Sequence, residues 1–103
     1  AAKTLVGLLK DASRPVILMG DFNLLPEDPI LTPIRELLRD TFDVYPKQDD
    51  FTWPSYRDIM KPGERLQKID YIFVSHDIKV NSVTIPAPHA SDHKPYIAEI
   101  ELP

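Results

Sequence analysis

The sequence predicts an α/β fold, and three observations carry that prediction. An apolar spacing typical of a helix at residues 2–10 runs directly into a continuous apolar run, Pro15-Val16-Ile17-Leu18-Met19. A second helix start, Thr32-Pro33, follows a proline-rich turn. The last third of the chain then reads as strands, with β-branched and aromatic residues alternating over 68–74, 78–85 and 95–102. Helical and strand periods interleave in this way when helices pack onto a sheet.

Each element has a local reason. In Ala2 to Lys10, Leu5, Leu8 and Leu9 share a helical face, and Arg14-Pro15 breaks the helix after Asp11. The run 15–19 is bounded by Pro and Gly and reads as a strand buried on both faces. Leu24 to Pro29 is a turn. A hydroxyl followed by Pro suits Thr32 and Pro33 as the cap and first residue of a helix. Ile34, Leu37 and Leu38 form its apolar side, and it should stop near Asp40. Residues 44–66 read as loop, with a short strand at Phe51-Thr52-Trp53 and a turn at Pro62-Gly63. Strand 68–74 follows. Strand 78–85 carries one phase slip, the mark of a bulge. Pro86-Ala87-Pro88 is a loop, and 95–102 closes the chain as a strand.

Composition excludes several classes. The chain has 103 residues, enough for one small domain over 1–103. With 43% hydrophobic and 27% charged residues it has globular rather than disordered composition. It has no cysteine, so disulfide scaffolds and thiolate zinc sites are excluded. No stretch approaches the roughly 20 apolar residues of a membrane span, and residues 1–10 lack the pattern of a signal peptide. The net charge is −4 with no Lys/Arg cluster, which disfavours tight non-specific grip on nucleic acid and suits a cation-collecting site. The start at Ala1 fits a processed, trimmed or cloned fragment, and equally Met removal before Ala.

Three polar clusters sit at strand ends. Gly20-Asp21-Phe22-Asn23 leaves a strand with a carboxylate and an amide two residues apart, hence on one side. The carboxylate can orient or deprotonate water, and the amide can donate to a phosphoryl oxygen without adding negative charge. A plain turn uses the same residues. Asp70 lies within the apolar strand 68–74 and needs a partner there, unless it faces solvent on an edge. Ser91-Asp92-His93-Lys94-Pro95 precedes the last strand. Adjacent Asp and His point different ways on an extended chain, so one can reach a metal while the other reaches a substrate oxygen. His93 needs an acceptor to fix its tautomer, and Asp70 is the natural candidate. Lys94 reads as a solvated strand start. His76 and His89 fit no ligand spacing, and Glu27 and Asp28 read as part of the proline-rich turn.

Taken together and in order, Gly-Asp-Phe-Asn, Ile-Asp-Tyr-Ile-Phe and Ser-Asp-His-x-Pro resemble the second half of the endonuclease/exonuclease/phosphatase superfamily, which includes pancreatic deoxyribonuclease and the abasic-site endonucleases. The resemblance runs from Pro15 to Leu102. It implies half of a four-layer α/β/β/α sandwich, with one mixed sheet and helices on one face. It implies a metal-dependent phosphoester hydrolase, most simply a phosphodiesterase or nuclease, using Mg²⁺ or Mn²⁺. By the same resemblance Asp21, Asn23, Asp70 and His93 are catalytic, Asp92 lies at the metal, and Trp53 borders the substrate. Whether Asp21 or His93 is the base stays open. The family's principal metal ligand is a Glu from the first half, and no segment here matches it. The chain therefore reads as the C-terminal half of a domain whose N-terminal half is absent. That half, or a second copy, is expected to cover an exposed sheet face. Substrates open to it are nucleic acid, a phospholipid head group, an inositol phosphate or a nucleotide. The alternative is a catalytically inactive half-domain serving as an interaction or assembly module.

Overall fold

A central antiparallel strand organises the chain in the computed structural model, which describes residues 2–55, 60–86 and 91–103. The elements run α1 (Ala2–Asp11), β1 (Ile17–Asp21), a 3₁₀ turn (Pro29–Leu31), α2 (Thr32–Leu37), β2 (Arg39–Asp40), a second 3₁₀ turn (Thr41–Val44), β3 (Asp70–Val74), β4 (Lys79–Thr84) and β5 (Ile97–Glu101). The α/β class holds. The single mixed sheet does not: among the described residues there are two antiparallel sheets, one ordered β1-β3-β2 and one made of β4 and β5.

The two faces of β3 build two cores. Tyr71 and Phe73 turn toward the helices and pack with Leu9 of α1, Ile34 of α2, Leu31 and Leu38. Phe73 is fully buried. Phe22 joins this side, its ring centroid 5.4 Å from Tyr71 and 5.8 Å from Phe73. Ile72 and Val74 turn the other way and meet Ile78, Val80 and Val83 of the β4–β5 sheet. Burial of this kind is the main source of stability in a domain so small.

Several boundaries differ from the sequence reading for identifiable reasons. The second helical stretch begins at Pro29, because the Asp28 carboxylate accepts from Ile30 N at 2.9 Å and so caps the 3₁₀ turn. Thr32 continues that turn into α2 rather than capping the helix. The helix stops at Leu37, three residues early, and Arg39 and Asp40 pair with Val74 and Phe73 as β2. On α1, Leu9 is buried and Leu5 packs beside the core, but Leu8 is 66% exposed. Leu5 and Leu9 are one turn apart, and Leu8 lies a quarter-turn round.

β1 is not buried on both faces. It starts two residues later than expected, and Ile17 and Met19 are 46% and 62% exposed. Their cross-strand partners are Val74 and Ile72, so they lie on the face opposite the helices. The β4–β5 sheet covers the Val74 side of that face and leaves β1 open. The bulge expected in strand 78–85 appears as a register shift between Val80 and Ser82. At Phe51-Thr52-Trp53 there is an isolated bridge, Trp53 to Gln67. Ala87, Pro88 and His89 lie outside the described residues, and His76 is exposed.

Candidate active site

β1 and β3 end together, and their pairing brings two carboxylates face to face. Asp21 is the direct cross-strand partner of Asp70. Like charges in that position repel. His93 relieves the repulsion by reaching both: Nδ1 lies 2.8 Å from Asp70 Oδ2, and Nε2 lies 3.6 Å from Asp21 Oδ2. Asp70, inside the strand, thus finds the partner that its burial demands. The imidazole is 28% exposed, Asp70 19% and Asp21 47%, so the triplet opens to solvent on the Asp21 side.

Local backbone chemistry sets the first motif. Gly20 has φ +155°, a value that L side chains rarely adopt. It lets the strand end on Asp21 while Phe22 swings into the core and donates its N–H to Ile69 O at 3.0 Å. Asn23 then takes a left-handed φ of 53°, which Asn tolerates, and its N–H donates to Asp21 Oδ1 at 2.9 Å. Tyr71 fastens the same loop from below through its hydroxyl, which donates to Leu24 O at 2.6 Å.

The electrostatics favour a protonated His93. Burial pushes its pKa down, but the hydrogen bond that Nδ1 donates to Asp70 and the charges of Asp70, Asp21 and Asp92 outweigh burial, so the pKa is raised. Asp21, Asp70 and His93 offer ligand atoms that all lie within 4.8 Å of one another. Two carboxylates are oxygen donors of the kind that suits a hard divalent cation. Asp92 stands outside this group. Its side chain is exposed, accepts from Ser91 Oγ at 3.4 Å, and contributes negative potential at the imidazole.

A cleft of about 570 Å³ opens beside the triplet, within the usual range for ligand sites. Asp21, Asn23 and His93 form one part of its lining, and Trp53, Arg65 and Gln67 another. The Trp53 backbone is locked to Gln67 by N–H to O bonds of 2.9 and 2.8 Å in the two directions. Arg65 and Gln67 are additions that sequence reasoning missed. Both precede β3 in a loop, where no periodicity marks which side chains turn toward the cleft.

Lys94 is a correction. It is not a solvated strand start but 9% exposed, with Nζ 3.1 Å from Asp50 Oδ1 and 3.5 Å from the centroid of the Phe51 ring. Asp50 lies 44 residues away, so nothing local announced the pair.

Known proteins share this arrangement of elements. The family model described as Endonuclease/Exonuclease/phosphatase family matches residues 3–93. An endonuclease/exonuclease/phosphatase structure from Bacteroides vulgatus superposes with a TM-score of 0.80 at 28% identity, covering 99% of this chain and 42% of its own. A functionally unknown conserved protein from Enterococcus faecalis gives a TM-score of 0.77 at 24% identity, over 98% and 42%. A mannosyl-6-phosphatase from Bacteroides thetaiotaomicron gives 0.63 at 21%, over 97% and 42%, a likeness of fold alone. The chain thus spans 42% of the length of each of these structures. No curated protein sequence gives a significant match.

Proposed function

The chain belongs to the endonuclease/exonuclease/phosphatase family, and from that premise we propose that it supplies the water-handling and phosphate-holding side of a metal-dependent phosphoester hydrolase, with a phosphodiester as the leading substrate. The observation that carries the reading is His93 bridging Asp70 and Asp21 at the mouth of the cleft. Asp70, bound at Nδ1, fixes the ring and leaves Nε2 facing the open side. Nε2 then donates to a phosphoryl oxygen, and Asp21 orients the attacking water. While Nε2 donates in this way the proton of that water passes to Asp21; with Nε2 unprotonated, His93 takes that proton instead and makes no such donation. The Asn23 side-chain amide donates to the phosphoryl group, and the Trp53 ring borders the alcohol portion of the substrate.

The Asp21 and Asp70 carboxylates would hold Mg²⁺ or Mn²⁺, Asp92 would add negative charge near them, and the Glu that the resemblance implies would complete the set. When bound, the ion neutralises phosphoryl charge and lowers the pKa of water. Nucleic acid, a phospholipid head group, an inositol phosphate and a nucleotide all present the required ester.

The test is turnover by the protein expressed from its full reading frame, on bis-p-nitrophenyl phosphate and p-nitrophenyl phosphate, with Mg²⁺, with Mn²⁺ and with EDTA. The expected result is metal-dependent hydrolysis that falls about 100-fold or more in Asp21→Ala and in His93→Ala, the usual scale for a general acid or base. Turnover that neither substitution changes would remove the assignment.

One observation favours a second reading. Ile17 and Met19 leave an apolar strand face open, and such a face promotes association. On that reading the chain is an inactive half-domain for interaction or assembly, covered by an N-terminal half or by a second copy. Sedimentation of the purified chain separates the two: a dimer without turnover supports assembly.

A further inference from the structure

Among the described residues, no strand pairing joins the segments that carry His93 and Asp70. Asp70 opens β3, whereas His93 lies in the loop before β5, and β5 pairs only with β4 in the other sheet. A hydrogen bond of 2.8 Å between them needs something else to bring the loop to the strand. The ties run through residues 50–55. Lys94 N donates to Thr52 O at 2.7 Å, and Ser55 N donates to Asp92 O, also a short bond, at 2.6 Å. On the other side of the same segment, Thr52 Oγ1 accepts from Ile69 N at 3.1 Å and from Asp70 N at 3.3 Å. Thr52 is fully buried. One short segment therefore holds the backbone of both partners.

The side chains of Asp50 and Lys94 lock that segment. Their carboxylate and ammonium are 3.1 Å apart at 6% and 9% exposure. Asp50 Oδ1 also accepts from Phe51 N and Oδ2 from the Tyr45 hydroxyl, each at 2.8 Å. Its pKa is lowered: burial opposes ionisation, and the three donors outweigh it. A buried ion pair is a poor source of stability, since apolar residues of similar volume do as well. What it adds is geometry, because a charge with all its partners fixed admits one arrangement.

We propose that Asp50, Thr52 and Lys94 are positioning residues, a clamp that sets His93 against Asp70. The catalytic consequence rests on the hydrolase reading above, but the positioning does not.

NMR of the chain at fixed pH tests the clamp. The readout is the low-field resonance of the His93 Nδ1 proton bound to Asp70, with thermal unfolding followed alongside. In Lys94→Met that resonance should be lost while the chain stays folded, and Lys94→Arg should restore it. If Lys94→Met does not fold, Asp50→Asn, which keeps shape and an acceptor oxygen, should weaken the same resonance. In the full reading frame, Lys94→Met should lower kcat about 10-fold or more with KM within about 2-fold, the mark of misplaced rather than missing groups. A folded Lys94→Met or Asp50→Asn chain with an unchanged His93 resonance overturns the clamp. If the resonance is lost but Asp21→Ala leaves turnover intact, the clamp stands and the hydrolase reading fails.

Discussion

Lys68 places an ammonium where the fold has little use for one, and Lys68→Met should stabilise the chain. The side chain is 4% exposed, and Nζ has no hydrogen-bond partner among the described residues. It lies 3.5 Å from the centroid of the Tyr71 ring, 4.8 Å from Phe42 and 5.0 Å from Tyr96. Burial pushes its pKa down from 10.5 to about 8, and the charges of Asp40 and Asp70 only partly offset that. Such a fall corresponds to about 3 kcal/mol. A base with a depressed folded pKa contributes most above its unfolded value, here 10.5. That contribution drains away as pH falls from there to the folded value of about 8. The wild type thus carries a penalty of about 3 kcal/mol at pH 7 and about half that at pH 9.5. Methionine removes the penalty. It also forgoes a cation–π contact worth about 1–2 kcal/mol, part of which the sulfur recovers against the rings. The net gain at pH 7 should be about 1–3 kcal/mol, shrinking by pH 9.5. Urea unfolding of both proteins at the two pH values, with midpoints and slopes compared, reads it directly. A Lys68→Met chain less stable at pH 7, or a gain that is equal at both pH values, would refute the reasoning.

Three further outcomes are expected. Asp70→Asn should lower the pKa of His93, because the negative charge goes and the hydrogen bond is no longer charge-assisted, while the shape stays. In the wild type the stabilisation by the pair is full below the unfolded value of about 6.5 and fades as pH rises through the raised folded value. An NMR titration of His93 in both proteins checks it, and equal midpoints would contradict it. The chain alone should turn over bis-p-nitrophenyl phosphate little or not at all, since among the described residues no Glu joins Asp21, Asp70 and His93. Robust hydrolysis that Asp21→Ala abolishes would show that the site is complete without one. Phe73→Ala should cost about 3–5 kcal/mol, because the ring is fully buried between the helices and β3. A loss under about 1 kcal/mol in denaturant unfolding would mean that the first core is looser than its burial implies.

Local information in the sequence went far. Helical spacing located α1, and β-branched and aromatic enrichment located β3, β4 and β5 to within two residues at either end. Asp21, Asn23, Asp70 and His93 drew attention through three short motifs read together and in order, since each motif alone also fits a turn, an edge strand or a polar loop. The Asp28 cap was legible in principle: an acidic residue before Pro29 follows the same rule that drew attention to Thr32-Pro33. What sequence could not decide was pairing. β2 is two residues long and has no period, so only β3 beside it makes it a strand. The choice between one mixed sheet and two antiparallel ones depends on where β5 lies relative to β3, a distance that no local pattern encodes. The burial of Lys94 depends on Asp50, and the bridge across Asp21 and Asp70 depends on a His 23 residues beyond Asp70. Side-chain period and capping act over a few residues, so the sequence writes them plainly. Charge pairing and sheet register act between segments far apart in the chain, and only the folded backbone brings those segments within reach.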